Sequence, residues 1–286
     1  MKPAPFAYTR ARTLAEAFDL LDRHGDDARV LAGGQSLMAT LNMRLSAPEL
    51  LVDIHAIPGL AGIEEKADHL RIGALTRHVE VERSAVVARH LPLIAAAMPH
   101  IAHAAIRNRG TFGGSIAFAD PAAELPACVR ALGAMLILAG KGGERRVAAD
   151  DFFQGLFATA LKPGELLVAV EIPKPAADAK CGFMELARRH GDYAIVGLAV
   201  QGRIVGGSFR DMRLAFFGAG DRPMLASGAG KALDGKPFGD AAVEAAQAAL
   251  AGELEPMADL NGSPAMKLHL ARVLTRRVLA AMAGAA

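Results

Sequence analysis

Two short glycine-paired segments constrain this chain more than anything else in it: Ala32-Gly33-Gly34-Gln35-Ser36 and Thr111-Phe112-Gly113-Gly114-Ser115. Paired glycines reach positive φ and let successive backbone N–H groups converge on an anion, and a helix starting at the same point adds the positive end of its dipole. Either segment alone would be an ordinary strand-to-helix turn, because short glycine motifs are common. Both carry hydroxyl side chains, and neither contains Lys or Arg. That combination suits a pyrophosphate clasped from two sides by N–H and hydroxyl groups better than a triphosphate with magnesium. One helix terminus contributes about 0.3–2 kcal/mol, whereas micromolar binding needs about 8 kcal/mol. A site built this way therefore needs both turns together with an apolar pocket for a ring.

Other familiar motifs fail on inspection. Gly33-Gly34 does not continue as G-x-G-x-x-G, so the dinucleotide fingerprint is absent. Gly228-Ala-Gly230-Lys231 mimics part of a P-loop, but Ala232 stands where Ser or Thr is required and no strand precedes it, so the segment reads as a loop. No G-x-S-x-G elbow surrounds Ser36, Ser115 or Ser208. His100 and His103 could share a helix face, but no third metal ligand is placed beside them.

The pattern around the two turns predicts alternating elements. Thr13 and Glu16 form a capping box for a helix over 13–24, closed by Gly25, and Ala28–Ala32 is a strand running into the first turn. Leu37, Leu41 and Leu45 then recur at helical spacing, with Ser36 as N-cap. A strand over 50–54 and a hairpin over 61–73 follow. The stretch from Thr76 to Ile106 is helical, interrupted at Pro92 and Pro99, and ends at the second turn. Asp120-Pro121 has the form of an N-cap with proline at the first helical position. Strands are expected at 134–139, 146–148 and 165–172, then a linker from Pro173 to Lys180 and a domain boundary near residue 177. Beyond it, Gln201-Gly202 reads as a two-residue hairpin turn between strands at 194–200 and 203–208, with a third strand at 212–217 on which Asp211 and Arg213 are outward-facing. Helices over 240–251 and from Pro264, the second capped by Ser263 with Met266, Leu270, Leu274 and Val278 on one side, complete the chain.

The 286 residues suit two domains, and 52% hydrophobic with 22% charged residues is the composition of an ordinary globular protein. A net charge of +2 without like-charge blocks argues against nucleic acid, and the longest apolar run, 131–139, is too short for a membrane span. No secretory signal is read at the start, and a cytoplasmic setting is expected. The only cysteines are Cys128 and Cys181. An all-cysteine iron–sulfur cluster needs four thiolates, so this chain cannot hold one alone.

Taken together, Leu31-Ala-Gly-Gly-Gln-Ser-Leu37, Arg107-Asn-Arg-Gly-Thr-Phe-Gly-Gly-Ser-Ile-Ala-Phe-Ala-Asp-Pro-Ala-Ala-Glu-Leu-Pro126 and Arg188-Arg-His-Gly-Asp-Tyr-Ala194 resemble motifs of one family. It is the FAD-binding medium subunit of the molybdenum hydroxylases, the xanthine oxidase and carbon monoxide dehydrogenase group, and the resemblance covers essentially the whole chain. It implies an α+β fold: a two-subdomain, vanillyl-alcohol-oxidase-like (PCMH-type) FAD-binding domain over 1–177, then a small α+β domain with an antiparallel sheet and helices over 178–286. It implies that Leu31, Ala32, Gly33, Gly34, Gln35, Ser36 and Leu37, with Thr111, Gly113, Gly114, Ser115, Ala117 and Leu167, hold FAD, the glycine turns clasping its pyrophosphate. Glu124 stands where the family usually has an Asp near the ribityl chain, and Ser115 replaces a frequent Asn. Tyr193 is the candidate for packing on the flavin ring, or else a partly buried aromatic with its hydroxyl satisfied. Glu185 falls where many members are basic and receives no role.

The same resemblance implies the function. No catalytic acid, base or nucleophile is assigned, since the cofactor supplies the chemistry. Electrons would come from a molybdenum cofactor in a large subunit, through the [2Fe–2S] clusters of a small subunit, to FAD on this chain and then to an external acceptor, within a dimer of heterotrimers. A self-sufficient FAD oxidoreductase of the related fold is the alternative among enzymes, and a flavin-free assembly module the alternative outside them.

Overall fold

The computed structural model describes residues 2–285, among which three larger sheets and a two-stranded one bury the predicted elements in layers. The first subdomain holds β1 (Ala7–Arg10), α1 (Leu14–His24), β2 (Ala28–Leu31), α2 (Leu37–Asn42) and β3 (Leu50–Asp53), its strands forming a parallel sheet in the order β1-β3-β2. Thr13 caps α1 by accepting from the Glu16 N–H, and Gly25 ends it at φ 49°. The Glu16 carboxylate reaches back to the Arg12 N–H, one residue beyond the expected capping-box partner.

The second subdomain runs through β4 (Ile63–Glu65), β5 (His69–Gly73), α3 (His78–Arg83), α4 (Ala85–His90), α5 (Pro92–Ala97), α6 (Ala104–Arg107), α7 (Phe112–Phe118) and α8 (Glu124–Ala131). It continues with β6 (Met135–Gly140), β7 (Gly143–Ala148), α9 (Ala149–Phe152), the short β8 (Phe153–Gly155) and β9 (Ala158–Thr159), and β10 (Leu166–Pro173). Its main sheet is antiparallel in the order β4-β5-β10-β6-β7. Both faces of the central strands are covered, which is why Met135–Gly140 is almost wholly apolar. Leu136 and Leu138 face the helices α3–α8, while Ile137 and Ala139 face α1 and the parallel sheet. Pro92 opens α5, where its missing N–H costs nothing.

The C-terminal part holds β11 (Ala179–Leu186), β12 (Val196–Val205), β13 (Ser208–Phe217), β14 (Met224–Leu225), α10 (Ser227–Leu233), α11 (Asp240–Ala249) and α12 (Pro264–Ala283). Its antiparallel sheet has the order β11-β12-β13-β14. Leu198, Val200, Leu214 and Phe216 face α10–α12, whereas Ala199, Ala215 and Phe217 face α5 and α8. Helices α5 and α8 are thus shared between two sheets, and no separate solvent-exposed face is left between them. No helix among the described residues is long and apolar enough to cross a membrane.

Several expectations change. The second glycine pair is not a turn: Gly113 and Gly114 lie in the first turn of α7, capped by Thr111 Oγ1 accepting from the Gly114 N–H at 3.2 Å. Asp120-Pro121 does not start a helix. Asp120 accepts from the Ala122 N–H, a local turn that delays α8 until Glu124. Gln201-Gly202 does not reverse the chain either. Strand β12 runs through it with a bulge, and the reversal falls at Gly206-Gly207, both at positive φ as a tight hairpin demands. The apparent P-loop mimic is helix α10, where Gly230 lets the helix lie against the Met212 carbonyl. Strand β11 begins inside the expected linker and makes the sheet four-stranded. Arg213 is not outward-facing: it donates to the Arg130 carbonyl at 2.7 Å and to Asp150 at 2.8 Å, stapling β13 to α8 and α9. On α12 the buried face runs through Lys267, Ala271, Leu274, Val278 and Met282, leaving Met266 exposed. Leu45 is exposed past the end of α2, and Ser36 makes no side-chain cap there.

Candidate cofactor site

The two glycine segments meet. A Cβ built on Gly33 would stand 2.5 Å from the Arg109 carbonyl oxygen and 2.7 Å from the Gly110 Cα, and one on Gly114 would stand 3.6 Å from Ala32 Cβ. Gly34, at φ 71°, turns the chain from β2 toward α2. The turn is held open from inside, because Gln35 Nε2 donates back to the Gly33 carbonyl at 2.9 Å. Among the described residues the backbone N–H groups of Gly33, Gly34, Gln35, Ser36 and Leu37 donate to no protein group; the first intrahelical bond is Met38 N–H to Gly34 O. Such a run of free N–H groups at a strand's carboxyl end is an anion nest.

The second segment differs in this respect. Phe112 and Gly113 N–H donate to the Thr76 and Ala74 carbonyls at 2.8 and 2.9 Å, and Gly114 and Ser115 are bonded to Thr111. Its contribution is a close wall and hydroxyl groups, and among the described residues the Thr111 N–H donates to no protein group. Gly113 has no room for a side chain, since a Cβ there would collide with Ala74.

Two residues without a sequence signal hold this wall. Buried His78 bonds through Nε2 to the Thr111 carbonyl at 3.0 Å, and its backbone N–H donates to Gly110 O at 2.9 Å. Arg77 Nη1 donates to Asn108 O at 2.7 Å. Burial lowers the His78 pKa to about 4 against the raising effect of the Thr111 bond, so the ring is neutral and Nε2 carries the hydrogen. Its Nδ1 has no partner.

Around the nest lie three acidic or phenolic groups. Glu124, the first residue of α8, is 6% exposed, and burial pushes its carboxyl up to about 7, with Asp120 adding to the rise. Asp120 is itself raised by burial, against the Ala122 N–H bond. Tyr193, in the loop after β11, is 56% exposed, with the Ser36 hydroxyl beside its own. Its phenol is still raised, by surrounding protein first and then by the Asp120 and Glu124 charges. A cleft of about 460 Å³ opens at Tyr193 between Arg188, Gly191, Asp192 and Asn261. The structure thus gathers Ala32–Ser36, Thr111, Gly114, Glu124 and Tyr193 in one region. Leu31 ends β2, Leu37 starts α2, and Ala117 is on α7. Leu167 is buried in β10 beneath α7, among core side chains.

At the same edge of the parallel sheet, buried Asp53 ends β3 opposite Leu31. It accepts from the Tyr8 hydroxyl, from Arg10 Nε at 3.0 Å and from the His55 N–H at 2.8 Å. Burial works to raise its pKa, but these hydrogen bonds outweigh it and hold the carboxyl at about 2. Asp53 thereby ties β1 to β3 behind the nest. Spacing alone does not reveal it.

Comparison with known proteins decides the family. Residues 4–175 match the model for the FAD-binding domain in molybdopterin dehydrogenase, and residues 182–282 match that for the carbon monoxide dehydrogenase flavoprotein C-terminal domain. The chain belongs to the FAD-binding medium-subunit family of molybdenum hydroxylases. It is 38% identical over 281 residues to the 6-hydroxypseudooxynicotine dehydrogenase complex subunit alpha of Paenarthrobacter nicotinovorans, covering 98% of this chain and 95% of that one. Among solved structures, carbon monoxide dehydrogenase from Hydrogenophaga pseudoflava superimposes with a TM-score of 0.97 at 38% identity, over 100% of this chain and 99% of that one. Quinoline 2-oxidoreductase from Pseudomonas putida 86 gives 0.93 at 39% identity, over 100% and 99%. As a medium subunit the chain is an oxidoreductase component with FAD as its cofactor, and the vanillyl-alcohol-oxidase-like fold with its antiparallel C-terminal sheet is the family's fold. The residues present fit that group: free N–H donors at Gly33–Leu37 suit a pyrophosphate, and the glycines keep the nest clear of side chains.

Proposed function

We propose that this chain is the electron exit of a three-subunit molybdenum dehydrogenase. FAD would be bound with its pyrophosphate on the Gly33–Leu37 amides against the Thr111–Ser115 wall. The observation that carries this reading is the contact between the two glycine segments at Gly33, which sets the free amides of one beside the closed wall of the other. Bound FAD supplies a centre that takes electrons singly and releases them singly or in pairs. The protein's part is to hold and shield it. The nest would orient the pyrophosphate, Ser115 and Glu124 would bond hydroxyl groups, and Tyr193 would pack on the ring. With its carboxyl raised by burial to about 7, Glu124 can accept or donate near neutral pH.

With two cysteines, both free, the chain needs a separate iron–sulfur subunit as donor, and reduced thiols suit a cytoplasmic setting. Relatives named for substrates as unlike as quinoline and carbon monoxide are equally similar to this chain, at 39% and 38% identity. Similarity on this chain therefore follows the flavin's role, and substrate choice belongs to a large molybdenum-cofactor subunit. We place the complex as a dimer of such heterotrimers, with the domain boundary of this chain near residue 177. The test is to purify the chain from its native host and identify its cofactor and companions. FAD together with a molybdenum-binding and an iron–sulfur chain is the expected result. FAD on a solitary chain that oxidises a substrate by itself would overturn the electron-exit role, and failure to bind FAD on reconstitution would overturn the cofactor.

A further inference from the structure

Behind the cofactor region lies a buried acid that the proposed function does not use. Glu185, on β11, has only 4% of its side chain exposed. Its Oε1 lies 3.3 Å from His100 Nδ1, and its Oε2 has no hydrogen-bond partner. Among the described residues no Lys or Arg comes within ion-pair distance of Glu185 or Glu124. Helix α12 packs on the opposite face of β11, where Val278 and Met282 meet Gly182. Helix α8 presents Glu124 and Cys128, the turn after α5 presents His100, β11 itself carries Cys181, and the loop after β11 carries His190, whose ring edges against that of His100 at 5.9 Å between centroids. An unpaired carboxylate cannot be held in such a place at acceptable cost, so the group keeps its proton. Burial first and the Glu124 charge second raise its pKa to about 8. Because the two glutamates interact, they titrate as a pair holding one proton more firmly than either would alone.

The arrangement is directional. At one end, His100 is 35% exposed beside the surface residue His190. At the other, Glu124 interacts with Asp120 and with Tyr193, whose hydroxyl adjoins Ser36 in the first glycine segment. Resting on the electron-exit reading above, a chemical requirement meets this geometry. Iron–sulfur donors deliver electrons one at a time and without protons, whereas taking a flavin down by two electrons at neutral pH consumes at least one proton. A buried acid beside the site can supply that proton.

We propose that Glu185 is the proton-loading residue for flavin reduction, passing protons inward through Glu124 and refilled from solvent through His100. In each cycle the Glu185 O–H bond breaks and its proton moves toward the cleft as the electrons from the iron–sulfur subunit arrive. The resulting carboxylate, repelled by its neighbour and unpaired, takes a proton back from His100, which draws one from water. Charge and protons balance, with the iron–sulfur protein as reductant and solvent as proton source.

The test uses the full chain and the variant E185Q, which keeps the shape and hydrogen-bonding capacity of the protonated acid but cannot release a proton. Infrared spectra of the flavin-free chain should show a protonated-carboxyl band at pH 7, shifted in D2O and missing in E185Q. In the FAD-reconstituted chain, stopped-flow reduction by dithionite should slow as pH rises through about 8 in the wild type. E185Q should be slower by at least about tenfold, a modest share of what a positioned proton donor contributes, without that pH dependence and with unchanged FAD content. A role confined to packing would leave E185Q like the wild type. Absence of the carboxyl band, or an unchanged rate and pH profile in E185Q, overturns the proposal. If the wild type takes up no FAD, the cofactor reading fails instead, and the infrared result still decides the protonation of Glu185 on its own.

Discussion

The contact at Gly33 yields the sharpest prediction. In Gly33→Ala the new methyl would lie 2.5 Å from Arg109 O, 2.7 Å from Gly110 Cα and 3.0 Å from Thr111 N. All three are backbone atoms, so no rotamer change relieves the clash. Ordinary nonbonded carbon contacts are about 3.5–4.0 Å, and the two segments have to part by about 1 Å. Overpacking of this kind costs about 1–3 kcal/mol. If the nest moves away from its wall to relieve the strain, FAD affinity falls by about ten- to a hundredfold, at about 1.4 kcal/mol per factor of ten. If the nest stays in place, the same energy is lost from folding stability. Fluorescence titration of FAD into the flavin-free chain, beside urea unfolding of the same preparation, measures both, and the two losses together should come to about 1–3 kcal/mol. Gly142→Ala is the control, because a Cβ there meets nothing within 4 Å. Were G33A to bind FAD and unfold like the wild type, the convergence of the two segments would not be what builds the site.

Four further outcomes are expected. His78→Leu leaves the Thr111 carbonyl without its donor and should weaken FAD binding about tenfold or less, with His78→Gln recovering most of the loss; equal losses in both variants would exclude the hydrogen bond as the cause. The depressed His78 pKa also predicts a pH effect: the unfolded ring takes a proton below about 6.5 and the folded one only below about 4, so stability is full above the first value and falls by about 3 kcal/mol down to the second. That slope should be missing from H78Q urea midpoints between pH 7 and pH 4. Asp53 acts lower on the scale. Its folded pKa of about 2 stabilises the chain at every pH above the ordinary carboxylate range, and about 2 kcal/mol is lost as pH falls toward that value, so the wild-type advantage over Asp53→Asn should narrow below pH 4. Tyr193→Ala should speed FAD release several-fold, consistent with about 0.5–1.5 kcal/mol for an aromatic contact. Its melting temperature without flavin should stay unchanged because the side chain is 56% exposed; unchanged release would remove Tyr193 from the site.

What a short window of sequence can specify was legible. Thr13 and Gly25 bracket α1, Ser263 and Pro264 open α12, and the apolar run at β6 marks a strand covered on both sides. These signals are local: a cap needs its own next turn, and a strand's burial shows in its own residues. The glycine pairs were visible in the same way, and with their flanking residues they pointed to the family. The errors also have local causes. Gln201-Gly202 looks like a turn, but a type I′ hairpin turn needs positive φ at both positions, and Gly206-Gly207 competes better. Asp120-Pro121 has capping chemistry that the chain spends on a tight turn instead.

Only the tertiary structure decided what the two glycine pairs do. In sequence they look alike, two nests from which an anion could be held. In the folded chain Phe112 and Gly113 give their N–H groups to the Thr76 and Ala74 carbonyls, while those of Gly33 to Leu37 remain free. Whether a backbone donor is available depends on which carbonyl packs against it, and that carbonyl lies on another segment. The same holds for His78, Asp53 and Glu185, ordinary polar residues in the sequence whose charge states depend on burial and on neighbours from distant strands and helices. The sequence by itself determined most of the elements, because caps, turns and strand burial are written in adjacent residues, and its motifs carried the resemblance that implied FAD. The assignment of donors, wall and buried acid needed the fold, because hydrogen-bond partners and desolvation exist only once distant segments touch.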